Sequence, residues 1–175
     1  MTAKIRHLNP ATLAAPRGYT HVVETVGPGR IVYISGQLGL DVGGKLVGQA
    51  NDFRAQASQV FENLKTALAE VGATFADIVK TTNYLTDLSH LPVLREVRAG
   101  YLPDTNPPAS TLIQIGALAV PGALLEIEAI VALPASVPAR PRAAAAAARP
   151  KARKSAARKS PKAPASKTRK KRNRK

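Results

Sequence analysis

The chain alternates between segments of β-type composition and segments with a helical hydrophobic period. Residues 21–26 and 30–40 are rich in β-branched residues and are separated by Gly-Pro-Gly, which predicts two strands joined by a tight turn. From residue 52 onward, apolar residues recur every three or four positions. This spacing predicts a helix with one buried stripe, formed by Phe53, Ala57, Val60, Leu64, Leu68 and Val71.

The ends of this helix carry recognisable signals. Asn51 or Asp52 is suited to cap its start, and Gly72 is suited to end it. The segment 77–88 that follows is rich in β-branched residues and runs into a polar turn, so it is predicted to be a strand.

A second amphipathic helix is predicted after Ser89, which we expect to be its N-cap. Pro92 would lie in the first turn, where the missing N–H does no harm. The apolar positions of this helix are Leu91, Leu94, Val97 and Tyr101.

Residues 110–115 and 124–133 are the last two predicted strands. The order β-β-α-β-α-β-β, with strands mostly linked as hairpins, favours a single α+β domain in which two helices cover one face of a mixed sheet. In the last strand Leu125, Ile127, Ala129 and Val131 alternate with Leu124, Glu126, Glu128 and Ile130. The second face therefore carries both apolar residues and carboxylates, and we expect other subunits to cover it around a partly wet cavity.

Charge divides the chain into two parts. Residues 1–134 contain ten Lys and Arg against eleven Asp and Glu, whereas residues 135–175 contain sixteen Lys and Arg and no acidic residue. The second segment also lacks aromatic residues, so it cannot bury enough surface to fold. The predicted organisation is a folded domain over 1–134 and a disordered basic tail over 135–175.

The basic tail resembles that of histone H1. Its charge predicts salt-dependent binding to DNA or RNA without sequence preference. An anionic membrane surface, ribosomal RNA, and a solvated extension with no selected role are the alternatives. We expect a cytoplasmic protein, with nucleoid association through the tail as a further alternative, because the chain shows no signal peptide and no membrane-spanning run.

Several chemistries are disfavoured by composition. The chain has no cysteine, so thiolate nucleophiles and thiolate metal sites are excluded. His7, His21 and His90 lack the spacing of metal ligands, and no Gly-rich run has the context of a phosphate loop. We therefore expect neither a metal nor a cofactor.

Four motifs carry a family resemblance. They are "ISGQLGL" at 34–40, "DIVKTTNYLTDL" at 77–88, "PPAST" at 107–111 and "EIEAIV" at 126–131. Because these motifs occur in the order and spacing of the RidA (YjgF/YER057c) family, the chain resembles that family over roughly residues 7–133. The resemblance implies a homotrimer of chorismate-mutase-like subunits whose inter-subunit clefts hold small carboxylates. It also implies, without metal or cofactor, hydrolysis of 2-imino or 2-enamino acids to 2-oxo acids and ammonia.

The resemblance also implies roles for particular residues. Tyr19 stands where the family has a tyrosine over the pocket, and Glu126 matches the glutamate that orients the attacking water. Ser35, Gly36 and Gln37 match a strand-end motif that binds substrate, and Thr111 belongs to the "PPAST" motif. The alternatives are that Tyr19 only packs and that Glu126 and Glu128 only line a wet channel of the trimer.

One position departs from the family's pattern. Ser110 stands where the deaminating members have an arginine that clamps the substrate carboxylate, and a neutral hydroxyl forms weaker bonds than a guanidinium. Imine deamination is therefore expected to be weak, unless Arg95 on the second helix replaces the clamp. In the alternative, Ser110 satisfies a backbone group and Arg95 is a solvated charge paired with its neighbours. The alternative function, a non-catalytic protein that binds a ligand or associates with nucleic acid, then remains open.

Overall fold

The structure, a computed structural model, describes residues 4–135 of the chain. Two helices and six strands form a single α+β fold, as predicted from the sequence. In chain order the elements are β1 Lys4–Leu8, β2 Val22–Val26, β3 Gly29–Leu38, α1 Phe53–Glu70, β4 Ile78–Leu85, α2 Leu91–Ala99, β5 Ala109–Gln114 and β6 Leu125–Pro134. The predicted tail lies outside the described residues, apart from its first residue.

Four strands form the main sheet in the order β3-β6-β4-β5. Strand β6 pairs antiparallel with both β3 and β4, whereas β5 pairs parallel with β4. A parallel neighbour requires a crossover connection, which α2 provides between β4 and β5. The mixed sheet is therefore a consequence of the second helix, and β3 and β5 are its edges.

The N-terminal region differs from the sequence prediction. Lys4–Leu8 forms the strand β1, which was not predicted, and it pairs antiparallel with β2. Arg6 and Glu24 face each other in this pair, with 2.6 Å between their side-chain nitrogen and oxygen atoms. Gly27, in the short link between β2 and β3, has a φ of 93°, but β3 pairs with β6, so β2 and β3 do not form a hairpin of the main sheet.

Helix α1 presents the predicted stripe to the sheet. Its predicted positions from Phe53 to Leu68 are all buried, and Val71 is the C-cap. Asp52 is the N-cap, because its carboxylate accepts a 3.0 Å hydrogen bond from the Ala55 N–H. Gly72 follows the helix with a φ of 73°, a left-handed conformation that glycine adopts readily.

Helix α2 begins differently from the prediction. The predicted N-cap, Ser89, lies in a short 3₁₀ turn, Leu88–His90, that precedes the helix. Asp87 caps this turn by accepting a 2.8 Å hydrogen bond from the Ser89 N–H. The backbone N–H of Ser89 therefore donates to the capping carboxylate of Asp87, and Ser89 is not itself the cap.

The two faces of the sheet have different environments. Leu125, Ile127, Ala129 and Val131 of β6 are buried under the helices, as their alternation predicts. On the opposite face Glu126 and Glu128 are partly exposed, and Tyr33 of β3 exposes 77% of its surface. The helices thus cover only one face of the sheet in a single chain.

Candidate functional site

A cleft of about 250 Å³ lies between α2, β5 and the loop that joins β1 to β2. Three leucines, Leu91, Leu94 and Leu112, form its apolar lining. Its polar lining consists of Arg17, Tyr19, Asn83, Arg95, Arg98 and Ser110. The cleft therefore joins three residues singled out from the sequence, Tyr19, Arg95 and Ser110, in one place.

The Ser110 hydroxyl belongs to a polar network on the helix-covered face of the sheet. The Asn83 side-chain amide donates to Ser110 Oγ at 3.1 Å, and Thr81 Oγ1 lies 3.2 Å from the same oxygen. Thr81 and Asn83 are buried on β4, and the register places Thr81 opposite Ser110. The predicted alternative in which Ser110 satisfies a backbone group is not observed, since its hydrogen-bond partners are side chains.

Thr20 holds the loop that carries Tyr19 against the cleft. Its backbone N–H donates to the Pro108 carbonyl at 3.1 Å, and its hydroxyl donates to the Pro107 carbonyl at 2.5 Å. Because Thr20 is almost fully buried, these bonds are shielded from water. They fix Tyr19 close to the strand that begins one residue after Pro108.

Three arginines converge on the cleft, and two of them, Arg17 and Arg98, were not singled out from the sequence. Within the described part of the chain, none of the three forms an ion pair shorter than 4.0 Å. The acidic neighbour of Arg95, Glu96, pairs with Arg54 instead. Arg95 is exposed, as a solvated helix charge would be, but within residues 4–135 it forms no ion pair with a neighbour.

Arg98 is held more tightly than Arg95. Its guanidinium lies against Gly18, where an added Cβ would be 2.2 Å from Nη2. Burial lowers the pKa of Arg98, and the nearby charge of Arg95 lowers it further. The spacing of three residues between Arg95 and Arg98 was the available sequence signal, because it places both on one helix face.

The remaining predicted residues lie elsewhere. Thr111 accepts a hydrogen bond from Lys80 Nζ, and its register partner is Thr82. Ser35 lines a second cavity of about 270 Å³ together with Lys80, Thr82 and Glu128. This cavity is on the sheet face that the helices leave uncovered.

Glu126 lies directly above Gly36. A Cβ added at Gly36 would be 1.8 Å from Glu126 Oε1, so the space left by the glycine is occupied by this carboxylate. Gly36 and Gln37 line a third cleft beside α1, and Gln37 Nε2 donates to the Ser35 carbonyl at 3.0 Å. In one chain, therefore, Glu126 and Ser110 belong to opposite faces of the sheet.

Tyr84 is the register partner of Glu126 and a further polar group of the uncovered face. Its hydroxyl lies 3.4 Å from Glu128 Oε1. Partial burial raises the pKa of Tyr84, and the negative charges of Glu128 and Glu126 raise it further. The sequence identified the motif that contains Tyr84 but not this cluster.

Within residues 4–135, no three His, Asp or Glu side chains come together as a metal site would require. The same residues include no helix long and apolar enough to cross a membrane.

Comparison with known proteins places the chain in a family. Residues 10–133 match the family model described as Endoribonuclease L-PSP. The chain belongs to the RidA family. It is 38% identical to protein DfrA of Myxococcus xanthus, covering 64% of this chain and 82% of the relative.

Two further RidA-family comparisons bear on function and structure. The chain is 33% identical to the 2-iminobutanoate/2-iminopropanoate deaminase of Homo sapiens, covering 69% and 85% of the two chains. The crystal structure of the Rid-family protein YyfB from Yersinia pestis aligns with a TM-score of 0.67 at 36% identity, covering 74% of this chain and 98% of that one. RidA-family proteins are generally homotrimers.

Proposed function

We propose that this RidA-family protein binds small 2-imino or 2-enamino carboxylates in the Ser110 cleft and hydrolyses them to 2-oxo acids and ammonia. The observation that carries the proposal is the position of Arg95, which has no ion-pair partner among residues 4–135 and lines the same cleft as Ser110 and Tyr19. A guanidinium there replaces the clamp that Ser110 cannot provide, since it forms two charge-assisted bonds to a carboxylate. The deaminase name of the human relative supports the same reaction class.

The proposed roles follow from the chemistry of the side chains. Arg95 anchors the carboxylate of the substrate, and Ser110 and Tyr19 donate or accept single hydrogen bonds beside it. An enamine first takes up a proton at carbon and loses one from nitrogen, which gives the imine. Water then adds across the C=N bond, the nitrogen takes up a proton, and ammonia leaves as the new hydroxyl loses its proton and the C=O bond forms. Holding the reactants in this geometry, with a general base for the water, is sufficient for such a reaction.

We further propose that the catalytic cleft is completed by a neighbouring subunit in a homotrimer. Within one chain, Glu126 and Ser35 lie on the uncovered face of the sheet, whereas Ser110 lies on the face that the helices cover. The uncovered face exposes the large apolar side chains Ile31, Tyr33 and Ile113, which favours its burial against another copy. Glu126 of one subunit would then orient water for a substrate held by Arg95 of the next.

A coupled assay tests the proposed reaction. Freshly generated 2-iminobutanoate is the substrate, and the appearance of 2-oxobutanoate is followed with and without protein. We expect acceleration by the parent chain and a loss of at least tenfold in kcat/KM for Arg95→Ala, because the anchor for the carboxylate is removed.

Arg54→Ala is the matched control, because Arg54 is also a helix arginine but pairs with Glu96 away from the cleft. Full activity in Arg95→Ala would exclude Arg95 as the anchor. If 2-oxobutanoate binds the cleft but no acceleration occurs, the non-catalytic ligand-binding alternative is correct.

A second proposal concerns residues 135–175. Their sixteen Lys and Arg residues and lack of acidic groups favour binding of the full chain to DNA or RNA through phosphate contacts. Gel shifts at two salt concentrations, with the full chain and with a chain truncated after Pro134, test this. We expect binding that weakens steeply with salt and disappears on truncation. Equal binding by the truncated chain would exclude this role for the segment.

A further inference from the structure

The Ser110 cleft has more positive charge than a single carboxylate requires. Arg17, Arg95 and Arg98 line it, and no acidic side chain is among its lining residues. Arg95 and Arg98 also line an adjoining cavity of about 80 Å³, in which Asp104 is the one acidic residue. Three arginines against one aspartate leave an excess of two positive charges among the described residues of the two cavities.

Arg98 is the residue for which this excess is most unfavourable. Its guanidinium is half-buried against Gly18 and has the like charge of Arg95 beside it. Removing a charge from water without a partner carries a large desolvation penalty. A ligand anion within reach of Arg98 would offset this penalty, and it would be a second anion because the proposed function assigns the first to Arg95.

The two arginines occupy the same face of α2. Arg95 and Arg98 are three residues apart on α2, which corresponds to an axial separation of about 4.5 Å and places both side chains on one helix face. The leucines of the cleft, Leu91, Leu94 and Leu112, provide an apolar surface for the carbon chain between two anionic ends. A compact anion such as phosphate does not need such a lining.

We infer that the cleft is specific for a small dicarboxylate, a 2-oxo or 2-imino acid with a second carboxylate at its far end. Arg95 binds the carboxylate next to the reacting carbon, and Arg98 binds the distal one. This inference rests on the proposed carboxylate-binding function and names its substrate class.

Isothermal titration of the full chain with two matched ligands tests the inference. 2-Oxoglutarate and 2-oxopentanoate have the same five-carbon 2-oxo acid skeleton, and only the former has a distal carboxylate. We expect 2-oxoglutarate to bind at least about tenfold more tightly, since each added bond between charged groups contributes roughly a factor of ten or more.

The variant Arg98→Met isolates the role of Arg98. It keeps an unbranched apolar side chain but removes the guanidinium, so the preference for 2-oxoglutarate over 2-oxopentanoate should fall to within about twofold. Arg98→Lys should retain part of the preference, because it keeps the charge but loses the two-pronged geometry. Arg54→Met is the control and should retain the full preference.

These variants also separate the cleft from the C-terminal basic residues. Any binding of anions by residues 135–175 is common to all the variants, so the difference between the parent chain and Arg98→Met reports the cleft alone. Inorganic phosphate is the third probe, and we expect it to compete weakly.

The outcomes distinguish the inference from the proposed function. If both 2-oxo acids bind equally in the parent chain, or if Arg98→Met keeps the preference, the dicarboxylate inference is wrong while the cleft still binds carboxylates. Strong competition by phosphate would also overturn it, because the site would then recognise charge and not two separated carboxylates. If neither 2-oxo acid binds, both proposals fail.

Discussion

Gly18 provides a direct test of how Arg98 is positioned. The perturbation is Gly18→Ala, which adds a Cβ 2.2 Å from Arg98 Nη2 and also places alanine at a φ of 75°. The left-handed backbone should cost about 1–2 kcal/mol of unfolding free energy. The close contact should cost little stability, since the end of a flexible side chain can move, but the guanidinium must leave its place.

Gly44→Ala is the matched control for backbone strain. Gly44 has the same φ of 75°, and no atom would lie within 4 Å of a Cβ added there. Both variants should therefore lose about 1–2 kcal/mol in urea unfolding at equal protein concentration. Only Gly18→Ala should lose the preference for 2-oxoglutarate over 2-oxopentanoate in titration calorimetry.

Two results would refute this reasoning. An unchanged ligand preference in Gly18→Ala would show that the position of Arg98 over Gly18 does not matter for binding. A much larger loss of stability in Gly18→Ala than in Gly44→Ala would show that the displaced guanidinium stabilises the fold, which argues for a structural role.

Three further predictions concern the core and the two faces of the sheet. Leu64→Ala should lower the unfolding free energy by about 2–5 kcal/mol in urea titrations, because Leu64 is 1% exposed and its removal leaves a cavity. Ser110→Ala should cost about 0.5–1.5 kcal/mol by the same measurement, since the Asn83 amide loses one of its acceptors; no loss would show that this hydrogen bond contributes nothing. The pKa of Tyr84 is raised above its usual 10.0 in the folded chain, so folding favours the neutral phenol. The contribution of Tyr84 to the free energy of unfolding is therefore fully present below about pH 10 and is lost as the pH rises through the folded pKa. Unfolding free energies from pH 9 to 12 should fall more steeply for the parent chain than for Tyr84→Phe, and parallel curves would contradict the shift.

Local patterns were sufficient to predict most of the secondary structure. The buried stripe of α1 depends on a three-to-four-residue period, and the alternation in β6 depends on a two-residue period, so both are visible in a short window of sequence. The errors have local causes as well. Strand β1 is five residues long and depends on pairing with β2, and Ser89 was outcompeted as a cap by the carboxylate of Asp87.

The candidate site was predicted only in part. Arg95 stands on the second predicted helix, and it does line the cleft of Ser110. Arg98 was missed although its spacing from Arg95 places both on one helix face. Arg17 was missed because its loop is held by Thr20, which binds Pro107 across 87 positions of sequence. A contact of that range leaves no periodic signal.

The sequence by itself determined the α+β class, the buried face of the sheet, the family and the division of charge between residues 1–134 and 135–175. These properties depend on hydrophobic period, on short motifs and on composition, and each of these can be read from short stretches of the sequence. Only the tertiary structure decided that Ser110 and Glu126 lie on opposite faces of one sheet and that three arginines surround Ser110. The registers of β4 with β5 and with β6 set the first of these, and loop anchoring sets the second. Both arise from pairing between distant segments, which no single stretch of sequence specifies.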